Sequence, residues 1–170
     1  IVLGLGFGDE GKGMTVDYLC SKYKKVTGNP DVVVVRFNGG QQAGHTVIRD
    51  NIKHVHSSFG SGTLLGIPTY ISEYCCLYPP DLQNDGDELV RKGIKPLIKV
   101  HPLAKLTTPY DIAYNRVREE RLKHGSVGLG VGATFARNDA NYTLPASLLN
   151  FPALLKAKLE EIRKYYDTLL

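Results

Sequence analysis

Residues 4–13 read Gly4-Leu5-Gly6-Phe7-Gly8-Asp9-Glu10-Gly11-Lys12-Gly13. Glycines at this density let backbone N–H groups turn into one concavity and let an anion approach the chain closely. Lys12 adds a compact positive charge. Two spacings are satisfied at once: Gly6, Gly8 and Gly11 fit G-x-G-x-x-G, and Gly6, Gly11 and Lys12 fit G-x-x-x-x-G-K. The first pattern, a dinucleotide fingerprint, also needs an acidic residue at the end of the second strand for the ribose hydroxyls. That strand ends in Arg36-Phe37-Asn38, and the only nearby acid, Asp31, begins it. The phosphate loop is therefore the better reading. Its usual Ser/Thr after the lysine, which holds Mg²⁺, is replaced by Gly13. This speaks against a general P-loop phosphotransferase and leaves Asp9, inside the loop, as the candidate metal ligand. The structural alternative is a tight glycine turn with a salt-bridged lysine. The strand, loop and helix order around the motif argues against it.

A second loop, Asn38-Gly39-Gly40-Gln41-Gln42-Ala43-Gly44-His45-Thr46, follows one strand later. Small residues flank His45, so another backbone can come close. Alone, His45 reads as a surface or capping histidine; beside a phosphate loop it reads as functional. His54 and His56 fall on one face of a strand, where packing or hydrogen bonding is favoured over metal chelation. His101 and His124 carry no signal.

These loops need a scaffold. Residues 1–5 form a short apolar run ending in glycines, as expected of a strand buried on both faces. From Glu10 the spacing turns helical, with Val16, Leu19, Cys20 and Tyr23 as the apolar residues, and the helix should end near Lys25. Gly28-Asn29-Pro30 is turn chemistry. Residues 31–37 hold Val32-Val33-Val34-Val35, a second buried strand. Strand, helix and strand make one β-α-β unit of an α/β fold with a mostly parallel sheet flanked by helices. Ligands of such sheets bind beyond the carboxyl ends of the strands, where residues 38–46 lie. Further strands are expected at 53–58, 69–78 and 95–100. Helices are expected at 83–92 (Leu89, Val90) and at 110–123, with Ile112, Val117 and Leu122 inside. A last helix should bury Leu154, Leu155, Leu159, Ile162 and Tyr166. Residues 125–134 are again glycine-rich. There is no internal repeat, low-complexity tract or linker, so residues 1–170 read as one part without an internal boundary.

The 170 residues are 42% hydrophobic and 22% charged, which suits a soluble globular domain with a core. No apolar run approaches the roughly 18 residues that cross a membrane. The net charge of +4 suits phosphate ligands without arguing for a nucleic-acid groove. Cys20, Cys75 and Cys76 form no C-x-x-C pair and read as structural thiols in a reducing, cytosolic setting. The chain opens directly on an apolar run, and residues 156–170 stop inside a helical pattern. Both ends are therefore expected to be cut.

The run Gly8-Asp9-Glu10-Gly11-Lys12-Gly13, then Arg36-Phe37-Asn38-Gly39-Gly40 and Ala43-Gly44-His45-Thr46, resembles the adenylosuccinate synthetase family. Phe59-Gly60-Ser61-Gly62 and the Gly125–Gly132 loop extend the likeness more weakly. Family members are substantially longer, so the chain resembles their amino-terminal part. The resemblance implies a GTP- and Mg²⁺-dependent ligase of purine nucleotide biosynthesis, cytoplasmic and homodimeric, that joins aspartate to IMP. It implies Asp9 and His45 as catalytic residues and Asp9 with the Gly44 carbonyl as metal ligands. GTP would be held by Gly8, Asp9, Glu10, Gly11, Lys12, Gly13, Met14, Gly44, His45 and Thr46. The purine monophosphate would be held by Asp9, Glu10, Gly11, Lys12, Gln42, Ala43, Gly44, His45, Ser126 and Val127.

Three positions depart from the family pattern. Gln42 stands where the family has Asn. Val127 stands where a threonine touches the substrate phosphate. The arginine that reaches across the family's dimer falls near Ala140 or Asn141, leaving Gln42, Ser126 and Arg137 as possible replacements. The alternative reading is thus a nucleotide-binding paralogue with an altered purine substrate or no ligase activity. Guanine and aspartate recognition would lie beyond Leu170.

Overall fold

The computed structural model describes residues 1–6, 8–27, 32–123 and 125–169. The turn expected at Gly28-Asn29-Pro30, and His124, lie outside them. The chain divides into two compact units, Ile1–Arg36 with Ala43–Ile71 and Pro80–Lys99, and Phe37–Gln42 with Ser72–Pro79 and Val100–Leu170.

The first unit opens on the glycine loop, which leads straight into helix α1 (Lys12–Thr27). No proline interrupts this helix, and Lys24 and Lys25 in its last turn complement its dipole. It buries Gly13, Asp17 and Cys20. The apolar pattern had pointed to a different face: Leu19 and Tyr23 are exposed and Val16 is half-buried. The reason lies in what α1 packs on, an antiparallel hairpin of β2 (His45–Arg49) and β3 (Ile52–His56). Arg49 of β2 grips Asp17 with two contacts, Nε to Oδ1 at 3.2 Å and Nη2 to Oδ2 at 2.6 Å. An ion pair, not an apolar side chain, thus fills the middle of the helix face. Asp50 and Asn51 make the hairpin turn at φ 47° and 63°, a left-handed pair that Asp and Asn tolerate. The segment read as a loop through Thr46 therefore ends earlier, because His45 and Thr46 already belong to a strand.

Three strands form a sheet in the order β1 (Val34–Arg36), β4 (Thr69–Ile71), β6 (Ile98–Val100). Strands β1 and β4 run parallel, Val34 opposite Thr69 and Arg36 opposite Ile71. The expected strand at residues 1–5 is absent: these residues join no ladder, and Ile1, Leu3 and Leu5 are exposed. An apolar run becomes a buried strand only where neighbours supply ladder partners and cover both faces, and no described strand does so here. Helix α2 (Pro79–Arg91) buries Leu89 and leaves Val90 outside.

In the second unit, β5 (Cys76–Leu77) and β7 (Lys105–Leu106) pair in parallel. Helix α3 (Pro109–Leu122) starts with a capping box between Thr108 and Asp111 and with Pro109 at its first position. Its buried residue is Asp111, while Ile112 and Val117 are half-buried and Leu122 is exposed. Helix α4 (Val131–Asp139) follows the third glycine-rich loop, and α5 (Pro152–Asp167) closes the unit. Of the expected stripe on α5, Ile162 and Tyr166 are buried, Leu155 and Leu159 half-buried, and Leu154 exposed. All three cysteines are buried thiols outside any disulfide. Burial first of all pushes Cys76 up to about 11, which makes it inert at neutral pH.

Candidate phosphate-binding site

The loop before α1 takes left-handed backbone at Gly8 (φ 96°), Asp9 (φ 46°) and Gly11 (φ 70°). Alternation of this kind turns successive N–H groups toward one side and makes an anion-binding nest. The N–H of Leu5 donates to Glu10 Oε1 at 2.7 Å, the N–H of Gly6 donates to the same oxygen, and Lys12 Nζ donates to Oε2 at 2.7 Å. Lys12 foremost, with the Gly6 and Leu5 amides, holds the Glu10 carboxyl below its usual range. Asp9 is exposed in the loop.

At the start of α1, Gly13 lies against the hairpin. A Cβ there would come within 2.6 Å of His45 Cβ and 3.1 Å of Ser61 Oγ. The hydroxyl residue of the general phosphotransferase pattern has no room at this position, because His45 occupies it. His45 is half-buried. Burial first, then the positive charges of Arg36 and Lys12, push it below its ordinary value, so the imidazole is neutral at pH 7. Arg36 and Ser61, which the sequence placed in family-like motifs without a site role, are neighbours of His45 and Gly13 respectively. Arg36 donates to the Ser57 carbonyl, which anchors it beside the hairpin.

Below His45 the hairpin carries the other two histidines. His45 pairs with His56 and Val47 with His54 across the ladder. His54 Nε2 lies 2.7 Å from Asp85 Oδ1, and Asp85 Oδ2 accepts from the N–H groups of Ser57, Ser58 and Phe59. The rings of His54 and His56 meet edge to face at 4.6 Å. The Asp85 contact of His54 and the ring packing hold this pair in place. No cluster of three or more metal-ligating side chains occurs among the described residues.

Asp9 and Gly44 belong to the first unit. A carboxylate and a backbone carbonyl are hard oxygen donors, the class Mg²⁺ takes, and Mg²⁺ is ordinarily held by one or two carboxylates plus substrate phosphates. The donor set fits that ion. Met14 and Thr46 are exposed beside this loop and hairpin.

Gln42, Ser126 and Val127 belong to the second unit. Gln42 is exposed, and its amide lies over Gly39 and Gly40. Ser126 Oγ accepts from Asn115 Nδ2 at 3.2 Å, and Val127 is exposed. The neighbouring Gln41, which the sequence did not single out, is buried. It donates from Nε2 to the Leu129 carbonyl at 3.0 Å, tying residues 37–42 to the third glycine-rich loop.

Arg137 does not serve as a replacement phosphate ligand. Its guanidinium is 0% exposed and pairs with Asp111, Nε to Oδ1 at 2.8 Å. It also donates to the carbonyls of Leu106 and Tyr142, and Tyr166 Oη donates to the same Asp111. The residue that sequence spacing offered to a ligand is the polar centre of the second unit's core.

Fold and loop together define the class: an α/β protein with a phosphate-loop amino terminus. The adenylosuccinate synthetase family model matches residues 1–170, and the chain belongs to that family. Adenylosuccinate synthetase of Neisseria gonorrhoeae is 33% identical over the whole chain, which covers 39% of that protein. The enzyme of Bordetella avium is 32% identical with the same coverage, 39%. Fully ligated adenylosuccinate synthetase of Plasmodium falciparum matches 98% of the chain at a TM-score of 0.79 and 20% identity, the match covering 39% of that structure. Succinoaminodeoxyadenylate synthetase of cyanophage S-2L, solved with dGMP and dATP, matches 86% at a TM-score of 0.64 and 22% identity, covering 40% of its chain. These two likenesses show the fold. The chain thus spans 39% of the length of the curated relatives it matches. Among the described residues, no helix is long and apolar enough to cross a membrane.

Proposed function

We propose that the protein is a GTP- and Mg²⁺-dependent ligase that joins aspartate to a purine nucleoside monophosphate, acting in the cytoplasm as a homodimer. The observation that carries this reading is the convergence of the Leu5 and Gly6 N–H groups and Lys12 Nζ on one carboxylate, the geometry of a loop whose donors share a single anion. Membership in the adenylosuccinate synthetase family supports the reaction class.

In this reading the loop amides and Lys12 hold the phosphates of GTP. Asp9 and the Gly44 carbonyl would hold Mg²⁺, which would supply charge neutralisation at those phosphates. The 6-oxygen of IMP is a poor nucleophile while N1 keeps its proton. Asp9 removes that proton, and the oxygen takes the γ-phosphoryl group as the β–γ phosphoanhydride bond breaks and GDP leaves. His45, whose pKa burial and the charges of Arg36 and Lys12 lower, would take up a proton as phosphoryl negative charge comes near. Protonated, it stabilises the charge developing on the transferred group. Aspartate then displaces phosphate at C6. The test is to incubate the purified protein with GTP, Mg²⁺, aspartate and IMP while following GDP, phosphate and adenylosuccinate. Formation of all three supports the reading; GTP binding without turnover on any purine monophosphate overturns it.

Gln42 and Val127 favour a second reading, in which the reaction class is kept and the purine substrate differs. With Arg137 buried, the arginine nearest that position in sequence is held by Asp111 rather than open to a phosphate. An arginine–phosphate contact is charge-assisted and often bidentate. IMP should therefore bind more weakly than to an ordinary family member, by about 10- to 150-fold. Calorimetric titration of IMP and GMP with GDP and Mg²⁺ present decides between them.

A further inference from the structure

The family resemblance places Glu10 among the nucleotide contacts, yet in the folded loop its carboxylate takes up the loop's own donors. Oε1 accepts from two backbone N–H groups and Oε2 from the Lys12 ammonium. The loop sequence is shaped around this contact. A Cβ at Gly4 would lie 2.1 Å from Glu10 Oε2 and 2.7 Å from Lys12 Nζ, and one at Gly6 would lie 3.2 Å from Oε1. Glycine at position 4 leaves room for the carboxylate and the ammonium to meet as they do, and a side chain there would push both aside. Carboxylate and phosphate oxygens are the same kind of acceptor for these donors.

We propose that Glu10 is a specificity-determining residue: its carboxylate fills the loop's anion site, and only a ligand bringing more contacts than a lone oxyanion displaces it. The proposal rests on reading the loop as a phosphate cradle. Being tethered four residues from Gly6, the carboxylate competes at an effective concentration on the order of millimolar or above. Inorganic phosphate offers the same few hydrogen bonds and must overcome that tether. A polyphosphate keeps those bonds and adds others along the loop and at the start of α1, so it displaces Glu10. The loop is thereby kept for nucleotide-like polyphosphates against the inorganic phosphate around it.

The test uses the chain with Glu10→Gln, which keeps shape and removes charge, and with Glu10→Ala. Binding of inorganic phosphate and of tripolyphosphate is followed by amide NMR at Leu5 and Gly6. Both variants should bind inorganic phosphate at least about threefold tighter than the parent, a modest gain because the pair is solvent-screened. Their preference for tripolyphosphate over phosphate should shrink correspondingly. Parental or weaker phosphate affinity in both variants, with tripolyphosphate still bound by the parent, overturns the proposal and leaves the cradle standing. If neither anion binds any form, while removing the carboxylate still shifts the Leu5 and Gly6 amides, the cradle reading itself is wrong and the proposal falls with it.

Discussion

The Cβ that Gly13 lacks would lie 2.6 Å from the Cβ of His45. Helix α1 and strand β2 are therefore in contact at the point where the phosphate loop becomes helix. This one approach explains why the loop lacks the hydroxyl residue that other phosphate loops carry after their lysine. Gly13→Ser should lower stability by about 1–3 kcal/mol through overpacking, or roughly 2–4 °C in Tm per kcal/mol for a chain of this size. Thermal unfolding checks it. A Tm equal to that of the parent would mean that the helix does not sit against His45.

In the proposed reaction, Asp9 should separate catalysis from stability. Its left-handed backbone (φ 46°) suits Asn as well as Asp, and the side chain is exposed. Asp9→Asn should keep the Tm and lower kcat by at least ~10²-fold, the low end for loss of a general base. Steady-state turnover beside a melting curve measures both. Near-parental turnover would remove Asp9 from the chemistry.

Arg137 should behave as a core residue. Removing one partner of its buried pair with Asp111 leaves an uncompensated charge, so Arg137→Leu should cost about 3–5 kcal/mol in urea unfolding. Adding Asp111→Asn should recover part of that loss, because the orphaned charge is gone while an amide oxygen remains to accept from Thr108. A single variant of parental stability would contradict the buried network.

His56 should make stability depend on pH. It is 0% exposed, and neither ring nitrogen has a hydrogen-bond partner among the described residues. Burial, aided by His54, His45 and Arg36 and opposed by Asp85, pushes it down to about 4. Between that value and about 6.5, the unfolded chain binds a proton that the folded chain refuses. The contribution is therefore full above about pH 6.5 and is lost as pH falls toward 4, to the extent of about 3 kcal/mol. The backbone N–H groups of Ser58 and Phe59, with His54, outweigh burial and hold Asp85 low. Its own loss thus comes at still lower pH. Melting curves at pH 7.5, 6 and 5 should show the fall, and His56→Leu should flatten it.

Residue types and spacing determined the local features: the phosphate loop, the helix after it, and the approximate places of β3, β4, β6, α2, α3 and α5. These depend on short-range chemistry, in which glycine density, apolar period and turn residues act within a few positions. Burial depended on partners distant in sequence. Asp17 goes inside because Arg49 meets it 32 residues away, and Arg137 because Asp111 meets it 26 residues away. Periodicity could not show either, since it treats every charge as solvent-facing. Residues 1–5 have the composition of a buried strand and no described strand beside them. The resemblance set Glu10 and Lys12 among the nucleotide contacts, with a salt-bridged lysine as the structural alternative; the folded loop pairs Lys12 with Glu10 and turns that carboxylate onto its own amides. A carboxylate adjacent to a glycine nest takes that course when backbone conformation brings the donors within reach, and only the tertiary structure decides whether it does.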